Sequence, residues 1–427
     1  MKTKRLVIVD GVRTPFCRAG TDLASLGADE LGRIAVNSLL TRTGLEPAAV
    51  DEVIFGCVAQ PAEAANIARV IALRAGLPQR IPAVTVHRNC ASGMEALTAA
   101  HDRMMAGRGD VFIVGGTESM SQIPLLYPRS APDKFARLGK ARSLPQKLSA
   151  LGGFRPGDFK PRVGLVLGLT DPVCGLNMGQ TAELLAREFA ISRDEQDDFA
   201  VESHRKALAA VNRHAEEICP VYRPGNETVL RDNGPRTDQS KEVLAKLRPV
   251  FERDTGTVTA GNASQITDGA VALLVMSEDR ARELHFAPLG FLRAHAYVGC
   301  DPERMGLGPV HAIDHLMLHE GLSLSEMDLI EINEAFAAQV LAVLKVMGSE
   351  TLSTKLLGHG MKCGDVPPEL LNVNGGSIAL GHPVGATGAR LVLTALKELQ
   401  RRKARHALVS LCVGGGQGAA LWLERNP

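Results

Sequence analysis

The chain is 427 residues long, 45% hydrophobic, 22% charged and only 4% aromatic, with 48 basic residues against 47 acidic ones. That length suggests two or three domains, and a near-neutral balance with so few aromatics excludes the charge field and stacking platforms of a nucleic-acid binder. No stretch approaches the roughly 18 apolar residues of a membrane span.

The opening Met1-Lys-Thr-Lys-Arg-Leu-Val-Ile-Val-Asp10 runs straight into a strand-like segment, without the apolar region of a signal peptide. The final Glu424-Arg-Asn-Pro427 is no peroxisomal address. Eight cysteines lie scattered with neither a C-x-x-C pair nor a zinc spacing, and read as reduced thiols, most of them small buried hydrophobes. A cytoplasmic protein is expected.

Short Val/Ile/Leu runs alternate with Ala-rich helical stretches, the pattern of an α/β fold with strands buried on both faces. Ser38-Leu-Leu-Thr-Arg-Thr-Gly-Leu45 leads through Val50-Asp-Glu-Val-Ile-Phe55, and His315-Leu-Met-Leu-His-Glu-Gly-Leu322 leads likewise through Met327-Asp-Leu-Ile-Glu-Ile332. In both, a helix closes on a C-cap glycine, Gly44 or Gly321, before a strand. Each copy continues to a reactive loop, a helix and a strand ending in glycines, at Gly115-Gly116 and at Gly414-Gly415. One fold used twice is expected.

In Val84-Thr-Val-His-Arg-Asn-Cys-Ala-Ser-Gly-Met-Glu-Ala-Leu97 an apolar strand ends and a helix starts near Cys90. A thiol at a helix N-terminus faces backbone N–H groups, which favour its thiolate and are expected to lower its pKa. Between Arg129 and Arg162 nine basic residues oppose only Asp133 and Asp158. Leu144, Leu148 and Leu151 recur there at helical spacing beside Lys140 and Lys147. This reads either as a basic amphipathic helix for an anionic membrane or partner, or as a loop helix packed on its own protein. His311, His315 and His319 share a helical face, but Val310, Ile313, Leu316 and Met317 mark another as core, so the histidines read as solvated rather than as metal ligands.

Asn333 and Glu334 directly follow a strand, so both can project polar groups into a cleft; an N-cap is the plainer reading of Asn333. The segment Asn372-Val-Asn-Gly-Gly-Ser-Ile-Ala-Leu-Gly-His-Pro-Val-Gly-Ala-Thr-Gly388 packs five glycines into 17 residues, which suits a loop closing on a ligand. His382, between Gly381 and Pro383, is placed to take a thiol proton. Cys412 ends another apolar strand before Gly414 and Gly415, without the G-K-[ST] or G-x-G-x-x-G pattern of a nucleotide loop.

Taken together, Asn89-Cys-Ala-Ser-Gly93, Gly261-Asn-Ala-Ser264, Asn333-Glu-Ala-Phe336, Gly381-His-Pro383 and Cys412-Val-Gly-Gly-Gly416 resemble the thiolases, in the family's order and over nearly the whole chain. The resemblance implies a duplicated thiolase fold of two βαβαβαββ halves, layered α-β-α-β-α, with an inserted loop domain. The first half would span 1–120 and 251–285, the loop domain with its basic insertion and coenzyme A contacts 121–250, and the second half 286–427. It implies Cys90 as the acylated nucleophile, His382 as its activator and an oxyanion donor, and Cys412 as general acid/base. Asn333 would hold an oxyanion-hole water, and the N–H groups of Cys90 and Gly414 would form a second oxyanion hole. Ser264 and Met178 would lie along coenzyme A, the substrate and product, with no tightly bound cofactor and no metal. Asn177 departs from thiolases that carry histidine before that methionine, which argues against an acetoacetyl specialist.

The basic insertion, with Ala141-Arg-Ser-Leu-Pro-Gln-Lys-Leu-Ser149, resembles the thiolase subunit of fatty-acid β-oxidation multienzymes. The expected function is therefore 3-ketoacyl-CoA thiolysis by way of acyl-Cys90. The rivals are condensation of two acetyl-CoA, a ketoacyl synthase, and an inactive lipid-binding or scaffold relative. A homodimer or dimer of dimers is implied, with a hydratase/dehydrogenase partner, peripheral membrane contact through 129–162, and no nucleic acid.

Overall fold

The computed structural model describes residues 4–223, 225, 227–359 and 362–425. Met1–Thr3 and the last two residues, on which the targeting readings partly fall, lie outside the described residues. The first half alternates β1 (Leu6–Arg13), α1 (Ala28–Thr43), β2 (Glu52–Gly56), α2 (Ile67–Arg74), β3 (Ala83–Val86), α3 (Ser92–Met105) and β4 (Val111–Glu118). A long excursion follows, with helices α4 (Ala131–Lys140), α5 (Leu144–Gly152), α6 (Gly164–Gly168), α7 (Met178–Glu188) and α8 (Arg193–Ala209). Strand β5 (Thr267–Ser277) then completes the first half.

The second half repeats the order: β6 (Gly290–Gly299), α9 (Gly308–Glu320), β7 (Leu329–Ile332), α10 (Ala337–Met347), the single turn α11 (Ser377–Leu380), α12 (Val384–Arg402), β8 (His406–Val413) and β9 (Gln417–Glu424). The expected C-caps are present: Gly44 and Gly321 adopt left-handed φ of 66° and 70°, each returning its N–H to the last helical turn. One strand of the second copy is missing as a strand. Its place is held by a single parallel bridge, Ile330 to Leu371, because Pro367 and Pro368 just upstream remove ladder donors.

The strands form one sheet in the order β7-β8-β9-β6-β1-β5-β4-β2-β3. Pairs β2–β3, β2–β4 and β7–β8 are parallel and the others antiparallel. The two halves meet in this sheet only through Val7–Phe291 and Ile8–Gly290. Three buried clusters give the five layers. One packs α1 and α2 on the first half, one packs α9 and α10 on the second, and the third holds α3 and α12 between strands of both. In that middle layer the two helices touch backbone to backbone: a Cβ on Gly93 would lie 2.6 Å from the Ala389 nitrogen. Only glycine permits this approach, and it sets the starts of α3 and α12 side by side.

The excursion is tied down by charge. Arg13, buried in β1, donates two parallel bonds to Asp232 at 2.7 and 2.8 Å and a third to Glu217 at 3.0 Å. Such forked pairing is the geometry that lets a guanidinium be buried. At its far end α5 forms, begun by a Ser143–Gln146 capping box. Leu144, Leu148 and Leu151 are 71%, 61% and 52% exposed, so this helix does not pack its apolar stripe on its own protein. No helix among the described residues is long and apolar enough to cross a membrane.

Candidate active site

Cys90 lies two residues before α3, at the end of a tight segment leaving β3. Asn89 takes a left-handed φ of 42° there, a conformation asparagine tolerates better than most residues. The Ser92 hydroxyl closes the segment, donating to the Asn89 carbonyl at 2.7 Å while accepting the Arg88 N–H at 2.9 Å. The expected depression of the Cys90 pKa is not what the structure supports. Desolvation raises it, and the N–H groups of Gly414 and of Cys90 itself, which favour the thiolate, offset only part of that. A helix start alone does not make this thiol reactive; it needs a base.

Cys412 is the penultimate residue of β8 and is 1% exposed. Burial holds its thiol well above the ordinary value, and negative charge on Cys90 pushes it the same way. The two sulfurs, remote in sequence, thus lie within electrostatic reach of one another. Gly414, two residues on, has a backbone N–H that favours the Cys90 thiolate, and its carbonyl accepts from the Asn89 side chain at 2.6 Å. Gly415 and Gly416 follow at φ of 89° and 79°. Met178, the first residue of α7, lays its sulfur against Gly414, 3.2 Å from where a Cβ would stand.

His382 precedes α12 by two residues, as Cys90 precedes α3. Its Nδ1 lies 2.7 Å from the Thr387 hydroxyl, which itself donates to the Pro383 carbonyl at 2.9 Å. A hydroxyl has one proton, so Thr387 must accept from Nδ1–H, and Nε2 carries the lone pair. Nε2 is buried and has no hydrogen-bond partner among the described residues. Burial, helped by the Arg390 cation, lowers the His382 pKa to about 4, so the ring is a neutral base at pH 7.

Asn333 directly follows β7 and is no N-cap, since α10 begins at Ala337 with Phe336 as its cap. Its Oδ1 accepts the Ser377 hydroxyl at 2.7 Å, while Nδ2 is buried without a partner among the described residues. Glu334 does not open into the cleft as the sequence suggested. Its carboxylate accepts from Ser203 at 2.6 Å, Asn372 at 2.9 Å and the Ile378 N–H at 3.2 Å, which makes it a clamp on the glycine-rich loop. Ser264 joins by its backbone, donating to Ala335 at 2.9 Å. Asn177 caps α7 in a box with Gln180.

The structure therefore gathers Cys90, Cys412, Gly414 and Met178 around one point, with His382 and Asn333 on adjoining loops. Sequence reasoning passed over Asn89, Ser377, Thr387 and Glu118. Glu118 is buried at the end of β4 and accepts the N–H groups of Val58, Ala59 and Gly385 at 3.1, 2.9 and 2.8 Å, which pins the His382 loop to the first half. Thr387 stands in the glycine-rich motif already singled out; Glu118 carries no local signal. Among the described residues no group of three or more His, Cys, Asp or Glu is arranged to hold a metal ion. His315 and His319 are exposed on α9, their rings 4.3 Å apart.

Residues 6–279 match a family model described as the thiolase N-terminal domain, and residues 286–425 one described as the thiolase C-terminal domain. The chain is 41% identical over 426 residues to the mitochondrial trifunctional enzyme subunit beta of Mus musculus, covering 99% of this chain and 89% of that one. It is 40% identical over 427 residues to a 3-ketoacyl-CoA thiolase of Pectobacterium carotovorum subsp. carotovorum (strain PC1), covering 99% and 97%. Similar solved structures include the Bacillus anthracis acetyl-CoA acetyltransferase, with TM-score 0.87, 36% identity and 99% of each chain covered. Human mitochondrial 3-ketoacyl-CoA thiolase in complex with CoA superposes with TM-score 0.85 and 35% identity, covering 99% and 98%.

Proposed function

The chain belongs to the thiolase family, and from that premise we infer an acyltransferase that cleaves 3-ketoacyl-CoA with coenzyme A to acetyl-CoA and a shortened acyl-CoA. What supports this reading is two buried thiols, Cys90 and Cys412, in electrostatic contact, and a buried His382 whose Nε2 has no partner among the described residues, set just before α12 where that helix packs on the start of α3. In the first half-reaction His382 Nε2 takes the Cys90 proton, and the thiolate sulfur bonds to the 3-keto carbon. The C2–C3 bond then breaks and its electron pair leaves as the acetyl-CoA enolate. Donors aimed at an enolate oxygen are each worth about 3–4 kcal/mol; His382 Nε2–H and a water on Asn333 Nδ2 supply them. Cys412 protonates C2 and releases acetyl-CoA.

In the second half-reaction the Cys412 thiolate takes the proton of incoming coenzyme A, whose sulfur attacks acyl-Cys90. The tetrahedral oxyanion is held by the N–H groups of Cys90 and Gly414, and departing Cys90 recovers its proton from His382. This is ping-pong covalent catalysis. Met178, and Ser264 beside the Asn333 loop, line the coenzyme A path, with no tightly bound cofactor required.

The physiological setting we infer is fatty-acid β-oxidation in the cytoplasm, with long chains preferred. The division into 1–120 with 251–285, a loop domain of 121–250, and 286–427 follows from the same reading. A homodimer, or dimer of dimers, is supported by β3, a sheet-edge strand whose Ala83, Val84 and Val86 are half-buried and which offers unpaired backbone groups to a second copy. Likeness to a trifunctional enzyme subunit supports a hydratase/dehydrogenase partner, and the outward leucines of α5 support peripheral contact with an anionic membrane. Intact-mass detection of an acyl adduct on Cys90, with chain length varied, tests the reading. Steady-state rates on C4 against C10–C16 3-ketoacyl-CoA separate it from acetoacetyl-CoA chemistry: a strict C4 preference overturns the long-chain assignment, and no adduct overturns the mechanism.

A further inference from the structure

Beneath Asn333 lies a buried charge that the mechanism above does not use. Arg390, in the second turn of α12, is 0% exposed. Its Nη2 donates to the Ser377 hydroxyl at 3.4 Å, and its Nη1 faces a Glu331 carboxylate oxygen at 3.7 Å. Its Nε and Nη1 and both Glu331 oxygens have no hydrogen-bond partner among the described residues. Leu329 and Glu331 share one face of β7, and Leu329 lies in the apolar middle layer, so the Arg390 cation and Glu331, whose carboxyl pKa is pushed by burial up to about 8, put two ionisable groups where hydrocarbon would pack. A buried pair this sparsely bonded adds little to stability against an apolar pair of similar volume, which leaves its placement to be explained by the site.

We propose that Arg390 is a positioning residue of the thiolase centre, which sets the orientation of the Asn333 amide through Ser377. The argument is one of hydrogen-bond direction. A guanidinium is a donor only, so the Ser377 oxygen must accept from Arg390 and its single proton must go elsewhere. It goes to Asn333 Oδ1 at 2.7 Å. With its oxygen so engaged, the amide presents Nδ2 to the cleft, where a donor is needed for the enolate oxygen or its water. The reversed amide would aim a lone pair at developing negative charge. The same cation is the charge that lowers the pKa of His382. The other charges acting on Arg390 are those of Glu331 on β7, Arg13 on β1, Glu217 of the excursion and Glu334 after β7; Glu118, bonded to the Gly385 N–H, and the thiols of Cys90 and Cys412 complete the ionisable groups of the site. Arg390 thus supports both oxyanion donors while touching neither substrate nor reacting atoms.

The inference rests on the thiolase reading, and the test separates the two. Ser377→Ala, Arg390→Met and the double variant of the full chain are compared with wild type for thiolysis kcat and KM, the acid limb of the pH–rate profile, and Tm. Each single variant is expected to lose about 10- to 100-fold in kcat, with KM moved less than about threefold, and the double variant to be no worse than the worse single. Arg390→Met should move the acid limb to higher pH, Arg390→Lys should restore it, and Ser377→Ala should leave it in place. Wild-type kcat in Ser377→Ala, multiplicative losses in the double, or an unmoved acid limb in Arg390→Met would overturn the proposal. If Arg390→Met does not fold, Ser377→Ala, which removes only the Nη2 bond of Arg390 and is compared at matched Tm, still decides by its kcat and KM. Wild type without thiolysis or adduct would sink the thiolase reading itself, and wild-type activity indifferent to these changes would sink only the role of Arg390.

Discussion

Asn89 and Gly414, 325 positions apart, are joined by a 2.6 Å hydrogen bond from the asparagine amide to the glycine carbonyl. That bond ties the loop before Cys90 to the loop after Cys412, and holds the Gly414 backbone where its N–H favours the Cys90 thiolate. Asn89→Gly keeps the left-handed backbone available but removes the tether. It should lower thiolysis kcat by about 10- to 100-fold, since small misplacements of reacting groups cost that much. Stopped-flow acylation and Tm, measured together, distinguish this from unfolding.

In the proposed mechanism the two cysteines divide the work, so their variants should fail at different steps. Cys90→Ala should form no acyl adduct while keeping its Tm. Cys412→Ala should still take an acyl group from a simple acyl-CoA, yet cleave 3-ketoacyl-CoA at least about 100-fold more slowly, the usual loss of a general acid/base. Equal loss of acylation and cleavage in Cys412→Ala would count against a proton-transfer role.

Acid should weaken the fold through its buried histidines. His204, which accepts the Arg236 N–H on its Nδ1 at 3.1 Å, is depressed to about 4, chiefly by burial and then by the Arg236 cation. His382 is lowered to about 4 as well. Both are depressed below the unfolded value of about 6.5, so the unfolded chain binds the extra protons first. Their contribution to stability is therefore present above pH 6.5 and lost as pH falls toward 4, at up to about 1.4 kcal/mol per pH unit for each histidine. Urea unfolding across that window should show a shallower slope in His204→Gln, whose amide oxygen can still accept from Arg236.

Asp232 is the forked partner that allows Arg13 to be buried. Asp232→Ala strands a guanidinium inside the protein and should cost about 3–5 kcal/mol, read as a lower denaturant midpoint. Replacing Arg13 and Asp232 together with apolar residues should recover part of that loss.

The outward leucines of α5 should matter for surfaces and not for chemistry. Serine at 144, 148 and 151 together is expected to abolish co-sedimentation with phosphatidylserine vesicles while kcat on a short-chain substrate stays unchanged. Retained sedimentation would argue that the basic residues bind without insertion.

Cys90, His382 and Cys412 could be singled out in sequence because each sits where a strand or helix gives way to small residues, a local pattern. The duplication was legible for the same reason, through the matched caps Gly44 and Gly321. What escaped depended on burial and on partners distant in the chain. The helix-start argument for Cys90 took in the N–H groups but not the desolvation, which is larger. Arg390 reads in sequence as an ordinary helix charge, and only the packing of α12 against β7 and α11 reveals it as interior. The lost strand near Leu371 has the apolar composition of its counterpart, but the prolines at 367 and 368 spoil its ladder. Whether the leucines of α5 face protein or solvent is set by the absence of a facing layer, which no local pattern encodes.

Val7–Phe291 and Ile8–Gly290 are the only strand pairs that join the two lobes within the sheet, and the proposed centre is divided between those lobes. Cys90 rides on the first lobe; His382, Cys412 and Asn333 ride on the second. A slight shift of α3 against α12, whose backbones touch at Gly93 and Ala389, would part those groups without melting a helix, so under mild denaturant turnover should fade before helical signal does.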